Sequence, residues 1–521
     1  MQTVAGVLAT GVAYYVYQRV KQDSHDGEEQ RCKPPLCDYV DPVGVSGLYR
    51  SLRASNENRF LDFVQQEIDN VGKRVGRPLR TVSVRVLFFQ DAIFTFDPLN
   101  VQAILGLRFD DFELGTSRIE GFRPYLGTGI FAAVGKQWEF SRNLLRPHLF
   151  RSRIDLEQGE RHVQAFITAL ERRREQSGWT QFTDLQDLFF HYTLDSTIEF
   201  LFGHNVNSQL GEETDSHARD VNFSKAIHES QSGISLSAKL GPFYWLAHTR
   251  EFKRHLKTIN EAVDPWIDAA IKQRQEDEEN CLEKGTGTQQ ENCSMLYALT
   301  KQTQDPVELR NQLLSLLVAG HDTTASTLAW FIILMADPRN EAIFHRLRAS
   351  IIDDFGDYTV PKEVTFGRVK SCRYLQWCID ETLRLYPAVP MNIRVAKRDT
   401  SLPTGGGPEG LSPIILKRGE EVTFSVHLMH RCKEIWGEDA NVFRPERWEN
   451  KPSRWNYVPF NDGPRSCIGQ QYAMVRIAHL VIRLLQRVDT VDGSHLGEVG
   501  QHLTLVNLPD HGVKVRMRFA E

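Results

Sequence analysis

The stretch Phe460-Asn461-Asp462-Gly463-Pro464-Arg465-Ser466-Cys467-Ile468-Gly469 decides how this chain is read. One cysteine sits among two glycines, a proline and an arginine, just ahead of a long apolar helical pattern. A lone cysteine is usually a small buried hydrophobe. This setting points elsewhere. Gly463 and Pro464 bend the backbone, and Gly469 lets a bulky planar partner come close. Arg465 sets a cation two residues from the sulfur. A thiolate near neutral pH needs such positive surroundings, or a metal. Cys467 is therefore a candidate metal ligand, with Phe460, Arg465 and Gly469 as candidate contacts of the group it would hold.

The rest of the chain is ordinary in composition. Of 521 residues, 41% are hydrophobic and 25% charged, which allows a sizeable core. The net charge of −5, from 62 basic and 67 acidic residues, offers no electrostatic case for nucleic acid. Eight cysteines are scattered without a C-x-x-C pair. That argues against a zinc site or a dithiol redox motif, and it suits a reducing compartment. Residues 1–17 are apolar, with Arg19 and Lys21 following. The run is shorter than the roughly 20 residues that span a bilayer. A basic segment does not precede it and no small-residue cleavage site follows, so a marginal anchor is favoured over a signal peptide. A frayed soluble extension is the plain alternative. The expected layout is an anchor over 1–20, a polar, proline-containing hinge over 21–37 and a single large domain over 38–521.

Within that domain, residues 56–71 show helical spacing at Phe60, Phe63, Val64 and Ile68. Residues 81–96, rich in Val, Phe and Thr, predict two strands. Helical patterns dominate from about residue 100 to 386. The charged run 273–288 reads as a surface loop. Strands are expected again at 392–396, 414–416 and 421–426, with a last pair at 503–506 and 513–519. The fold class is thus mainly α with small β-sheets (α+β). The strongest helix is Pro306–Ala336. Asp305 is a good N-cap, Pro306 fits the first helical position and Glu308 completes a capping box. Apolar on nearly every face, it reads as a buried core helix. Its polar segment Gly320-His321-Asp322-Thr323-Thr324 would be costly in lipid and useful beside a buried cofactor.

Three further constellations carry chemistry. In Ala319-Gly320-His321-Asp322-Thr323-Thr324, Gly320 removes a side chain so that a ligand can approach the helix. Thr323 can hydrogen-bond to a backbone carbonyl and Asp322 can relay protons through water. Glu381 and Arg384 are three apart on an amphipathic helix and share a face. Arg447 follows in Phe443-Arg444-Pro445-Glu446-Arg447-Trp448. Trp138 and Arg142 are four apart, so indole and guanidinium can donate to one anionic partner.

In order, W-x-x-x-R, A-G-x-D-T-T, E-x-x-R, P-E-R and F-x-x-G-x-R-x-C-x-G resemble the motifs of the cytochrome P-450 superfamily, over nearly the whole chain. The resemblance implies that superfamily's fold, with a long central helix over a buried heme b and the Cys loop before the last long helix. It implies Cys467 as the axial thiolate and Asp322 with Thr323 as an acid–alcohol pair that delivers protons. It implies Glu381, Arg384 and Arg447 as a buried triad bracing the Cys467 loop. Trp138, Arg142, Arg465 and Arg394 would meet the heme propionates. Closer similarity is to the fungal branch that hydroxylates alkanes and fatty acids. It is carried by Gly129-Ile130-Phe131, Leu145-Arg146-Pro147 and Leu402-Pro403-Thr404-Gly405-Gly406-Gly407-Pro408. That branch usually has Arg at the Thr404 position and a longer anchor.

The expected function is a heme-thiolate monooxygenase oxidising an alkyl carbon of a hydrophobic small molecule. A fungal specialised-metabolite intermediate or a fatty acid fits. Only 54 residues follow Cys467, so electrons are expected from a separate NADPH-dependent flavoprotein reductase. Other expected partners are O2, a hydrophobic substrate and a membrane held through the N-terminus. The protein would be a monomer on the endoplasmic reticulum with a cytosol-facing body. Two other functions stay open: a heme-thiolate isomerase or dehydratase that uses no external O2, and a non-enzymatic heme-binding protein. Pocket-lining segments are expected at 109–131, 216–243, 313–323, 388–393 and 506–511, and no obvious cation to pair with a carboxylate stands out in them.

Overall fold

The structure is a computed structural model that describes residues 32–37, 44–85, 91–149, 156–210, 215–284 and 294–520. The expected anchor, and most of the expected hinge, lie outside the described residues. Contacts divide the chain into two compact units. One takes residues up to 115 with 391–437 and 453–466; the other takes 116–390, 438–452 and 467–521.

The first unit is built on helices α1 (Val45–Asn56) and α2 (Phe60–Val75), separated at Asn58 by a positive φ. Leu61, Ile68 and Val71 form the buried stripe of α2, spaced as the apolar periodicity requires. Behind them lies a five-stranded sheet in the order Thr81–Val84, Ala92–Thr95, Glu421–Ser425, Met391–Ala396, Phe112–Glu113. The expected strands at 81–96, 392–396 and 421–426 all fall in it. Leu36 bridges Ser83 in parallel, so the described end of the hinge segment lies along the sheet's edge. The glycine-rich motif after Leu402 belongs to a hairpin of Thr400–Gly406 with Ser412–Leu416. Thr404 closes its turn by donating to the Gly410 carbonyl at 2.9 Å. Its backbone carbonyl accepts from the buried Asn100 amide.

The second unit is helical. Its long elements are α3 (Thr116–Leu126), α4 (Gly135–Leu145), α5 (Leu156–Glu171), α6 (Leu185–Phe202), α7 (Asp215–Leu240) and α8 (Arg250–Lys284). Then come α9 (Pro306–Ala336), α10 (Glu341–Phe355), α11 (Arg373–Leu385) and α12 (Gln470–Arg487). Leu145, Ile198, Ile227, Ile259, Leu313 and Leu317 meet in its core, each almost inaccessible. Burying one such side chain contributes about 1.5–3 kcal/mol. α9 is long and apolar enough to cross a membrane, but 72% of its apolar window is buried inside the protein, as befits a core helix.

Three sequence expectations change here. Residues 273–284 are helical, not loop: α8 runs on to Lys284. Lys, Glu, Gln and Arg are good helix formers, and Arg274 pins the helix by donating to Thr300 Oγ1 and the Tyr297 carbonyl. The last strand pair is also different. Lys514–Phe519 pairs with Val488–Asp492, directly after α12, while Gln501–Leu503 pairs with Asn507–Pro509. The bounds and N-cap of α9 are as expected, with Asp305 accepting from Val307 N and Glu308 N. The capping box is not closed, because Glu308 accepts from Gln312 and Thr128 while the Asp305 amide donates to Thr303. As the single-helix reading requires, α9 runs unbroken through its polar segment.

Candidate active site

The cysteine loop takes its shape from its own residues. Asn461 and Gly463 both have positive φ. At Gly463 the reason is visible: a Cβ there would stand 1.8 Å from the Leu105 carbonyl oxygen. Asp462 accepts from the Gly463 amide at 2.6 Å and is held by a two-pronged ion pair with Arg454. Phe460 and Arg465 are half-buried in this first unit, and Arg465 is partnered. Arg394, in the strand Met391–Ala396, is buried, donates to the Ile393 carbonyl at 2.8 Å and lies 5.7 Å from the Phe424 ring centroid.

In the second unit the loop delivers Cys467 to the start of α12. Gly469 is the N-cap of that helix, and Ile468 packs on the helical core. Cys467 is an exposed residue although protein surrounds its sulfur. Burial pushes its pKa up, while the amides of Gly469 and Gln470 and the Arg142 guanidinium pull it back down. A helix N-terminus and one cation thus face the sulfur, a setting that favours negative charge there. A Cβ at Gly469 would meet no protein atom but that sulfur, at 3.9 Å, so the space beside it is open.

Arg142 comes from α4. Its guanidinium lies 5.9 Å from the ring centroid of buried Trp138 on the same face. Burial, then neighbouring Arg146, lowers its pKa, and Cys467 opposes the shift. The expected Trp138–Arg142 pair and the cysteine therefore share one electrostatic neighbourhood.

The expected triad is fully formed. Arg384 Nε and Nη2 donate to the two Glu381 oxygens at 2.9 Å each, and Arg447 Nε donates to Glu381 Oε1 at 2.8 Å. Glu381 and Arg384 are completely buried, and Arg447 almost so. Two partners were not foreseen. Trp448 Nε1 and the Arg444 amide also donate to Glu381. Arg384 and Arg447 spend further donors on the Ala440, Val442 and Asp439 carbonyls. The triad staples α11 to the segment 439–448. Trp448 is the residue after the P-E-R motif, so adjacency alone could have flagged it.

On α9, Ala319, Gly320 and Thr323 form an accessible strip in an otherwise buried helix. Thr323 donates to the Ala319 carbonyl at 2.6 Å. Gly320 has a different reason from the expected one: a Cβ there would press on Thr197 of α6, at 3.3 Å, so the glycine serves helix–helix approach. Asp322 is buried and its Oδ1 has no hydrogen-bond partner. Burial pushes its pKa up to about 7; Gln231 on α7 opposes this, although its Nε2 forms no aligned bond.

An exposed cysteine whose sulfur faces helix amides, an open flank at Gly469 and a half-buried Arg142 fit a planar dianionic group bound through sulfur. The chemistry of the donor set fits heme iron, and heme b ligated by a cysteine thiolate supplies O2 activation with O–O cleavage.

Comparison with known proteins agrees. The Cytochrome P450 family profile matches residues 82–494. The chain is 38% identical over 496 residues to cytochrome P450 monooxygenase g430 of a Fusarium species, covering 94% of this chain and 85% of the relative. It is likewise 38% identical to cytochrome P450 52A13 of Debaryomyces hansenii, covering 92% and 90%. With cytochrome P450 52A4 of Candida maltosa it shares 41% over 426 residues, covering 79% and 76%. The crystal structure of the cytochrome P450DA heme domain superposes with a TM-score of 0.73 over 94% of this chain and 98% of that one, at 19% identity, which bears on the fold. Family members draw electrons from an NADPH-dependent reductase and use O2 on hydrophobic substrates. The chain belongs to the cytochrome P450 family, as a monooxygenase carrying heme b on a cysteine thiolate.

Proposed function

We propose that this monooxygenase hydroxylates an alkyl carbon of a hydrophobic carboxylic acid. Arg118 carries that reading. It lies on α3, in one of the segments expected to line the pocket, and its guanidinium is 5.2 Å from the Phe122 ring centroid. Its buried Nε has no hydrogen-bond partner, and no carboxylate pairs with it among the described residues. Burial lowers its pKa to about 10, so it stays charged at neutral pH. Arg118 as a whole is half-buried, so a ligand has access to it; a largely desolvated cation without a counter-charge is costly, and an anionic ligand relieves the cost. Arg118, Phe122 and Tyr125 follow i, i+4, i+7 along one face, and Tyr125 feels the charge of Asp322. Two helical turns, about 10 Å, separate the cation from the acid end of that face. A carboxylate head held at Arg118 would leave an alkyl chain to reach toward α9.

In this reading Cys467 ligates the iron, and Trp138, Arg142, Arg394 and Arg465 meet the propionates, with Phe460 and Gly469 flanking the group. Asp322 and Thr323 deliver protons. Glu381, Arg384 and Arg447 hold the scaffold. The electron donor is a separate membrane-bound flavoprotein, and the site of action is the cytosolic face of the endoplasmic reticulum. The test is a titration of substrate-induced spectral shifts with a long-chain acid and its methyl ester. A charge-assisted hydrogen bond contributes about 1.5–3 kcal/mol. The acid should therefore bind about 10- to 100-fold more tightly than the ester. Arg118→Leu should erase that preference and Arg118→Lys should restore part of it. Equal binding of acid and ester to the native protein would sink the acid reading.

A further inference from the structure

His321, between the glycine and the acid of the α9 motif, has no role in anything described so far. It is buried, and both ring nitrogens face polar atoms. Nδ1 lies 2.8 Å from Thr193 Oγ1 on α6, and Nε2 lies 3.5 Å from Asp322 Oδ1. The Thr193 hydroxyl has one proton, and two carbonyls of its own helix are placed to take it, Phe189 at 2.9 Å and Phe190 at 3.2 Å. Its remaining capacity toward His321 is as acceptor, so Nδ1 carries the ring proton and Nε2 presents a lone pair. That lone pair faces the one oxygen of Asp322 that lacks a partner. Two acceptors would repel; an acid proton between them turns the contact into a hydrogen bond. At 3.5 Å the pair is just beyond bonding length, and a small rotation of the carboxyl closes it.

We infer that His321 is a positioning residue: its imidazole, locked in one tautomer by Thr193, accepts a hydrogen bond from the Asp322 carboxyl and keeps that acid neutral until its proton is delivered. The inference rests on Asp322 being the proton donor. The surroundings agree. Burial first, then His228 on α7, His191 on α6 and Arg476 on α12, lower the His321 pKa to about 3. The ring therefore does not take the proton for itself. From α3, Tyr125 faces Asp322 with a hydroxyl that has no partner, and from α7 comes Gln231. No cation pairs with the carboxylate among the described residues. Phe190 closes the other side of the imidazole, edge to face at 5.4 Å.

The test reads the proton directly. Infrared difference spectra of the resting ferric protein, taken across pH, should contain a carboxylic-acid carbonyl band that titrates near pH 7 and vanishes in Asp322→Asn. In His321→Phe the acceptor is gone, so the midpoint should fall by about half to one pH unit. Thr193→Val, which leaves the imidazole in place but frees its tautomer, should lower it too, and keeps the test open if His321→Phe folds poorly. If His321 instead donated Nε2–H to a carboxylate, its removal would raise the midpoint. A raised or unmoved midpoint in both variants overturns the inference. The readout needs no turnover: a failed oxygenase assay beside a band that shifts as stated would fault the activity reading and leave the pairing standing.

Discussion

Gly463 shows how much one residue decides. Its φ of +73° and the 1.8 Å approach of the Leu105 carbonyl leave room for nothing larger than hydrogen. Gly463→Ala should cost at least about 2 kcal/mol and lower heme content, measured by urea unfolding and by heme per protein. Asp322 makes a pH statement. Its folded pKa of about 7 lies above the unfolded value of 3.8, so the folded state holds the proton more tightly. The stability it contributes is full below about pH 4 and is lost as pH rises toward 7. Asp322→Asn should therefore raise the melting temperature at pH 8 relative to the native protein, with no such gain at pH 4. The same titration bears on turnover: product formed per NADPH should fall as pH rises through about 7. Residue-level reading of the sequence singles out Cys467, Asp322 and Thr323 because motif spacing exposes them. It passed over Arg118, His321 and Thr193, whose meaning comes from partners on other helices or from the lack of any.

At the scale of elements, the triad and the core helix behave differently from surface pairs. Glu381 answers two guanidinium groups at once in a dry site. Glu381→Gln leaves that charge uncompensated and should cost about 3–5 kcal/mol. Glu446→Gln, one residue from Arg447, is the control. The side chains of Glu446 and its ion-pair partner Arg346 are both exposed, and a Gln there can still accept from the buried Tyr374 hydroxyl, so the loss should stay below about 1 kcal/mol. Urea unfolding of the two variants separates them. The bounds of α9 were legible because Asp305, Pro306 and Asp337-Pro338 are local signals. The pairing of 513–519 with 488–492 was not, because strand partners are chosen by tertiary packing. The end of α8 was misread because a charged, solvated helix and a charged loop look alike until the chain packs.

Across the whole molecule, similarity to fungal P450 monooxygenases over more than nine-tenths of the chain favours an O2-consuming reaction over isomerase or binding roles. With a flavoprotein reductase, NADPH and an acid substrate, O2 and NADPH should be consumed together. Consumption without either would contradict that reading. Everything above depends on the sulfur that the opening loop singles out. The most direct measurement is the absorption spectrum of the reduced CO complex of the native protein and of Cys467→Ala. The native protein should show the thiolate-type band and Cys467→Ala should lack it. A Cys467→Ala protein that keeps the band would mean that another residue holds the iron.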